Sequence, residues 1–168
     1  KSITLTVAEV NVAPVLAGVP SSATINEEQP YTFTATATDH DLPAQALSFS
    51  LSGAPAGAAI DPDSGVFTWT PTEAQGPSLG TVFTTKVTDN GTPALSATNS
   101  FTVAVDEVNS APTLQTIVSQ TINELATLTI TNSATDTDLP ANTLSYELLA
   151  GPANATIVPS YFAWRNFF

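Results

Sequence analysis

The chain contains no cysteine and no methionine, and among its 168 residues only three are basic and one is histidine. The absence of cysteine excludes a disulfide framework and any thiolate metal site. Fifteen acidic residues outweigh the basic ones, which gives a formal net charge of −12. A charge of this sign repels phosphate backbones and anionic lipid headgroups, so we expect neither nucleic acid nor a membrane surface as a partner.

Long apolar runs are also absent. No stretch approaches the roughly 20 consecutive apolar residues that a membrane-spanning helix requires, so we expect no membrane insertion in this segment. The chain begins with Lys1 and shows no signal-peptide pattern before its first alternating segment. These features lead us to expect a processed or excised segment of a longer protein.

The composition that remains is typical of a globular all-β protein. Hydrophobic residues make up 42% of the chain and charged residues 11%, which distinguishes it from a disordered acidic tail. Threonine and valine are abundant, and both favour strands over helices. The excess of carboxylates requires counter-charge, which divalent cations could supply, although composition alone is also explained by a soluble acidic surface.

A repeat of about 100 residues organises the sequence. The segment Val10–Leu16 returns as Val108–Leu114, a separation of 108 − 10 = 98 residues. The segment Thr38–Pro43 returns as Thr135–Pro140, a separation of 135 − 38 = 97, which indicates one deleted residue. A repeat of this length corresponds to an immunoglobulin-sized domain and is too long for an ankyrin or leucine-rich unit.

The repeat also predicts the domain boundaries. Residues 2–11 match Ser100–Asn109, the end of the repeat, so residues 1–11 are predicted to be the last strand of a preceding unit plus a linker. Residues 12–109 should form one complete domain. Residues 110–168 should form an incomplete second domain, whose match to the first fades after residue 160. Neighbouring repeats of the same protein are therefore the first partners that we expect.

Within the complete unit, polar and apolar residues alternate in Tyr31–Thr38, Leu47–Leu51 and Phe101–Val105. This period of two is typical of strands that are half buried in an antiparallel sheet. Turn residues such as Asn90-Gly-Thr-Pro93 separate the segments. We predict an all-β, immunoglobulin-like Greek-key β-sandwich. Its seven strands are expected at about 15–27, 30–38, 46–52, 57–60, 65–70, 80–88 and 97–106.

Several motifs resemble those of cadherins. The run Ala37-Thr-Asp-His-Asp41, followed by Leu47-Ser-Phe-Ser-Leu51, is similar to AtDxD…itYsi. Ile60–Phe67 resembles iDpxtGvi, and Val87–Ser96 resembles vtDnGtPpLs nearly letter for letter. Phe67-Thr-Trp-Thr-Pro71 is closer to the cadherin-like and immunoglobulin-like tandem repeats of large bacterial surface proteins. The resemblance covers nearly the whole chain and implies a cadherin-like fold, located outside the cell or at its surface.

The acidic residues at strand ends suggest calcium as a cofactor. Calcium takes six to eight oxygen ligands, so a site requires several loops that converge. Asp39 and Asp41 are two positions apart beside Pro43, which lets both carboxylates face one ion. Aspartate is also common in turns, and a turn alone would explain this pair.

The resemblance to cadherins, in which calcium lies between successive domains, implies two junction sites. The first would use the linker and loop residues Glu9, Asn11, Asp39, Asp41 and Asp89. The second would use Glu27, Glu73, Glu107, Asn109, Asp136, Asp138 and the side-chain oxygen of Asn142.

The chain departs from the cadherin pattern in two places. Where cadherins have DxNDNxP, the linker Glu107-Val-Asn-Ser-Ala-Pro112 is one residue shorter and lacks the second aspartate. The acidic pair before the sixth strand is reduced to Thr72-Glu73. Fewer carboxylates imply one or two ions per junction, bound weakly, with dissociation constants of about 10⁻⁴ to 10⁻³ M.

Other residues allow alternatives that we consider weaker. His40 is the only histidine, but it lies in an acidic loop and the chain has no nucleophile-elbow motif, so we expect no catalysis from it. Asp61 and Asp63 could be a glycosidase pair, yet their neighbours Pro62 and Gly65 favour a turn. Trp69 alternates with threonine along a strand and should lie in the core instead of stacking on a sugar.

The function that we expect is a non-catalytic, extracellular structural or adhesive repeat segment, rigidified by calcium at its domain junctions. Its adhesion partner would be a protein or a glycan. Because residues 2–8 are an unmatched last strand and the second unit lacks one, chains could also associate head to tail into a filament. The alternative is an accessory module of a secreted polysaccharide-degrading enzyme, which would expose aromatic residues on one sheet face.

Overall fold

The structure is a computed structural model, which describes residues 1–158 and 161–165. The chain divides into two compact units, Lys1–Glu107 and Val108–Phe168. No helix within the described residues is long and apolar enough to cross a membrane.

The first unit consists of nine strands and a single turn of 3₁₀ helix, Glu73–Gln75. Its strands are β1 Val15–Ala17, β2 Ser22–Asn26, β3 Tyr31–Thr34, β4 Thr36–Thr38, β5 Ser48–Ser52, β6 Ala59–Ile60, β7 Val66–Trp69, β8 Ser78–Thr88 and β9 Ser96–Asp106.

The strands of the first unit form a four-stranded sheet in the order β2-β9-β8-β5, a three-stranded sheet in the order β3-β7-β6 and the pair β1-β4. Most neighbours are antiparallel, but β2 runs parallel to β9, so the start and the end of the domain share one sheet. Alternation along β8 and β9 turns one face of the four-stranded sheet inward and leaves the other polar. The predicted β-sandwich is confirmed.

The core lies between the two larger sheets. Phe67 on β7 packs edge-on against Phe83 on β8 with ring centroids 5.5 Å apart. Phe33 on β3 approaches Phe101 on β9 in the same way at 5.0 Å. Trp69 belongs to this cluster and is buried, as predicted. Each fully buried aromatic side chain contributes roughly 1.5–3 kcal/mol through its removal from water.

Two predicted strands are each broken into two. The segment 15–27 forms β1 and β2, and Gly18 between them has φ +73°, a conformation that favours glycine. A Cβ at Gly18 would lie 2.7 Å from the carbonyl oxygen of Thr34, so the chain turns there in close contact with its neighbour. The segment 30–38 breaks at Ala35, whose N–H donates to the carbonyl of Gly65. The break lets β3 pair with β7 while β4 pairs with β1.

Residues 1–14, all of them described, contain no strand. Their apolar side chains Ile3, Leu5 and Val7 are between 83% and 94% exposed. Their counterparts in the repeat, Phe101 and Val105 among them, are buried in the core. Residues 2–8, predicted as the last strand of a preceding repeat, form no strand here because a strand needs a neighbour with which to pair.

The second unit forms only part of the repeat. Its strands are β10 Thr113–Leu114, β11 Thr127–Thr131, β12 Ala134–Thr135, β13 Ala155–Val158 and β14 Tyr161–Arg165. The pair β10-β12 and the sheet β11-β14-β13 correspond to β1-β4 and β3-β7-β6. The counterparts of β2 and β5, residues 119–123 and 145–149, are not strands. In the first unit those strands pair with β9 and β8, which have no counterparts among the described residues of the second.

The repeat continues further than the sequence match suggested. Ile130 pairs with Phe162 and Leu128 pairs with Trp164, as Phe33 pairs with Phe67 and Tyr31 with Trp69 in the first unit. Phe162-Ala-Trp164 is therefore the counterpart of Phe67-Thr-Trp69. The sequence comparison missed it because the offset changes from 157 − 60 = 97 to 162 − 67 = 95, a turn two residues shorter.

Candidate metal sites

Four of the first site's predicted ligands are joined by hydrogen bonds. Asp41 follows β4, and its Oδ2 accepts the backbone N–H of Val12 at 2.9 Å. The N–H of Asp41 in turn donates to Oδ1 of Asp39 at 3.0 Å. Asn11 reaches the loop after β8, where its Nδ2 donates to Oδ2 of Asp89 at 3.2 Å and to the carbonyl of Pro93 at 2.8 Å. The linker is thus attached to two loops of the domain that follows it.

Glu9 completes this group, which we call the first acidic cluster (Glu9, Asn11, Asp39, Asp41 and Asp89). Desolvation and the nearby carboxylate of Asp41 raise the pKa of Glu9, and the charges of Asp39 and Asp89 raise it further. A raised pKa means that the surroundings of Glu9 disfavour its charged form, first through desolvation and then through the neighbouring carboxylates. The structure therefore brings all five predicted residues of the first site together.

The geometry of the loop explains why the Asp89-Asn-Gly91 motif has aspartate at its first position and glycine at its third. Asp89 is buried, and burial alone raises its pKa, but N–H groups of Leu95 and Gly91 and the amide of Asn11 donate to its carboxylate, so that its pKa is lowered on balance. Gly91 is required for a different reason, because a Cβ there would collide with the side chain of Asn11. The motif thus keeps one carboxylate ionised and leaves room for the linker asparagine.

The donor set fits a hard divalent cation. The first acidic cluster offers carboxylate and amide oxygens, the ligand types that calcium prefers. Oδ2 of Asp39 is buried without a hydrogen-bond partner, and so is Oε1 of Gln45, whose Nε2 donates to Oδ2 of Asp41 at 3.0 Å. Buried oxygens are normally paired, so two unpaired ones beside several carboxylates match a cation site. Gln45 was not among the predicted ligands, although it is the counterpart of Asn142, since 142 − 97 = 45.

A second group, the glutamate cluster, consists of Glu27, Glu73 and Glu107, which can each place one oxygen within 4.8 Å of the others. Glu27 follows β2, and Glu107 follows β9. The parallel pairing of these strands brings the two residues side by side, and the N–H of Glu27 donates to the carbonyl of Asp106 at 3.0 Å. Glu73 enters from the 3₁₀ turn. Glu27 is 1% exposed, and a Cβ at Gly76 would collide with its carboxylate.

The second unit repeats the arrangement of the first in the second acidic cluster, which consists of Asn109, Asp136, Asp138 and Asn142. Asp138 is buried and accepts the N–H of Ser110 through both oxygens, at 3.0 and 3.1 Å. Its own N–H donates to Oδ1 of Asp136 at 3.2 Å. The seven residues of the second predicted site thus form two groups, three in the first unit and four in the second.

The residues with alternative interpretations have structural roles or lie in solvent. His40 is exposed. Oδ1 of Asp61 accepts the N–H groups of Asp63 and Ser64 and the hydroxyl of Ser64, which confirms the predicted turn. None of the seven aromatic residues in residues 1–107 is exposed. The exposed aromatic face expected of an accessory module that binds polysaccharide is therefore absent from the first unit.

Comparison with known proteins agrees with the fold. Residues 13–106 match the model of the He_PIG family, described as "Putative Ig domain". The chain is 18% identical to human CDH23 EC21-23, with a TM-score of 0.55 over 91% of this chain and 53% of that one. For mouse cadherin-23 EC22-24 the identity is 17% and the TM-score 0.53, over 95% and 56% of the chains.

A third similar structure, the protocadherin gammaB7 EC3-6 cis-dimer, is 25% identical with a TM-score of 0.51, over 97% of this chain and 45% of that one. The chain spans about half the length of these three structures. No curated protein sequence matches it. The family match covers more than half of the chain, and the structural neighbours share its cadherin-like β-sandwich.

Proposed function

The chain belongs to the He_PIG family of Ig domains, and from this premise we propose that it is a non-catalytic segment of an extracellular repeat protein, rigidified by calcium at its domain junctions. The observation that carries the proposal is the first acidic cluster. Hydrogen bonds connect the linker to two loops through Asn11, Val12, Asp39, Asp41 and Asp89, and Glu9 lies within reach of the charges of the three aspartates. Oδ2 of Asp39 is buried without a hydrogen-bond partner.

Hydrogen bonds within the chain already hold the end of each linker against the domain that follows it. The carboxylates of Asp41 and Asp138 each accept the backbone N–H of the residue that follows the linker asparagine. Desolvation and the charges of Asp41, Asp39 and Asp89 raise the pKa of Glu9, so the charged form of Glu9 is disfavoured beside the domain. A bound divalent cation would supply positive charge that offsets the clustered negative charge. It would be coordinated by oxygens of the linker and of the domain loops. A cation that binds only when the linker is attached to the domain loops stabilises this attached conformation by mass action.

The strands support an array of repeats as the functional form. Residues 2–8 expose apolar side chains whose counterparts are buried in the complete unit. Residues 119–123 and 145–149 have, among the described residues, no counterparts of the strands β9 and β8 with which β2 and β5 pair. Both features favour a chain that works beside further repeats, either within one polypeptide or by head-to-tail association. In such an array the segment would act as a spacer or adhesin, with a protein or glycan as its adhesion partner.

A calcium titration tests this function. About 10 mM calcium, compared with a chelator, should raise the melting temperature of the 168-residue chain and reduce its flexibility in small-angle scattering. Asp136→Ala should remove much of this response at the second junction. Glu147→Ala, a change at an exposed residue outside the three clusters, should leave it intact. If neither melting temperature nor scattering responds to calcium, the proposed function is wrong.

A further inference from the structure

Each unit carries an amide side chain four residues after its buried aspartate, Gln45 after Asp41 and Asn142 after Asp138. In the second unit, Nδ2 of Asn142 donates to Oδ2 of Asp138 at 2.7 Å and to Oδ1 of Asn109 at 3.2 Å. In the first unit, Nε2 of Gln45 donates to Oδ2 of Asp41 at 3.0 Å and to Oδ1 of Asn11. The same bridge between aspartate and linker asparagine is built twice, with side chains of different length.

These amide nitrogens donate hydrogen bonds to the same oxygens that would coordinate a cation. Oδ2 of Asp41 and Oδ1 of Asn11 can only accept hydrogen bonds or coordinate a metal. Without a cation, an amide nitrogen is the group that fits between them, since an amide oxygen would be repelled by both. With a cation between them, the nitrogen would be repelled instead. The occupant of the site therefore decides which end of the amide points inward.

Gln45 is built to present either end. Its Oε1 is buried and has no hydrogen-bond partner, and the same holds for Oδ2 of Asp39, whose Oδ1 accepts the N–H of Asp41. A half-turn about the terminal torsion of glutamine exchanges nitrogen and oxygen at little steric cost, because the two ends of the amide have nearly the same shape. The rotation would aim Oε1 at the site and break both hydrogen bonds of Nε2.

We propose that Gln45 is a two-state positioning residue, which holds the linker asparagine through Nε2 when the site is empty and becomes an oxygen ligand through Oε1 when a divalent cation binds. Asn142 has the same position and the same donor contacts in the second unit. The inference rests on the proposed function, because it requires a cation in the first acidic cluster. It adds that cation binding competes with an internal hydrogen bond.

The test is a calcium titration of the full 168-residue chain, labelled with ¹⁵N and ¹³C and followed by the side-chain resonances. The side-chain NH₂ signals of Gln45 should shift, because both hydrogen bonds of Nε2 are broken, as the carboxyl signals of Asp39 and Asp41 move. Gln120 is the internal control, because its Nε2 donates only to the nearby carbonyl of Val118 at 3.3 Å among the contacts described. Its NH₂ signals should stay unchanged.

The outcomes separate the two proposals. Aspartate signals that respond while the NH₂ signals of Gln45 stay unchanged would overturn the amide switch and leave the calcium site standing. Aspartate signals that do not respond would overturn both. Replacement by glutamate gives an independent measurement, because a carboxylate cannot donate but can coordinate.

Gln45→Glu should therefore destabilise the calcium-free chain and tighten calcium binding at the first acidic cluster by roughly tenfold, through one added ligand charge. Gln120→Glu carries the same change of charge at an exposed position and should alter neither property. Calcium affinities that are equal in the two variants would show that Gln45 has only a structural role.

Discussion

Replacing Asp39 by asparagine should stabilise the domain in chelator and destabilise it, relative to the wild type, in calcium. Asparagine keeps the carbonyl oxygen that accepts the N–H of Asp41, so the local turn should survive. Without a cation, the substitution removes one of four clustered carboxylates. The relief should be about 1 kcal/mol, the size of one unit-charge interaction at about 4 Å in water-like surroundings.

In calcium the balance reverses. For dissociation constants of about 10⁻⁴ to 10⁻³ M, about 10 mM calcium adds roughly 1.4 to 2.7 kcal/mol to the free energy of unfolding. If Asp39→Asn abolishes binding at this concentration, the variant gains nothing and ends about 0.4 to 1.7 kcal/mol less stable than the wild type. Urea unfolding should show the reversal of the two stabilities. Unfolding can be monitored by the fluorescence of the buried Trp69 in a Trp164→Phe background.

Asp63→Asn is the matched control, since it removes the same charge from an exposed turn. Its effect should be small and equal in calcium and chelator. A shift from Asp39→Asn that is equal in both conditions would contradict the assignment of Asp39 as a ligand.

Three further predictions concern assembly, pH and the core. Deleting residues 1–9 removes the exposed strand segment, so any head-to-tail oligomers of the full chain should vanish in analytical ultracentrifugation, and an unchanged oligomeric state would exclude strand donation. Hydrogen bonds from the side chain and backbone of Ser64 hold the pKa of Asp61 below its usual value, so its contribution to stability is present above the usual aspartate pKa and is lost as pH falls through the lowered one. Asp61→Asn should therefore flatten the acid side of the stability profile measured by urea unfolding, and an unaltered profile would refute this role. The hydroxyl of the fully buried Thr85 has no hydrogen-bond partner, so Thr85→Val should raise the free energy of unfolding by about 1 kcal/mol, whereas a loss would indicate a partner such as a buried water.

The strands could be predicted where side-chain alternation decided them, and their breaks could not. The period of two in Tyr31–Thr38 correctly predicts extended backbone, but the break at Ala35 depends on a hydrogen bond to Gly65, thirty residues away. The turn at Gly18 depends on a distant neighbour too, because the carbonyl of Thr34 leaves no room for a Cβ there. Alternation describes which face of a strand is apolar, whereas the choice of partner strand is made by the assembled sheets.

The charged residues of the first acidic cluster could be predicted from the sequence, whereas the neutral Gln45 could not. Asp39, Asp41 and Asp89 stand out by type and spacing, and the structure places them in one cluster with Glu9. Gln45 gave no such signal, because an isolated glutamine in a loop is unremarkable until its neighbours in space are known. The internal repeat was the available clue, since it aligns Gln45 with Asn142, which the resemblance had singled out.

The parallel pairing of β2 with β9 has a consequence for biosynthesis. The four-stranded sheet joins the second strand of the domain to its last one, across about 80 residues of sequence. During translation or export, β2 must therefore wait without its partner until the end of the repeat emerges. Residues 2–8 are a near-copy of that partner, so the two segments compete for the same place beside β2. Sequence differences such as Phe101–Val105 against Ile3–Val7 would help each repeat to select its own strand.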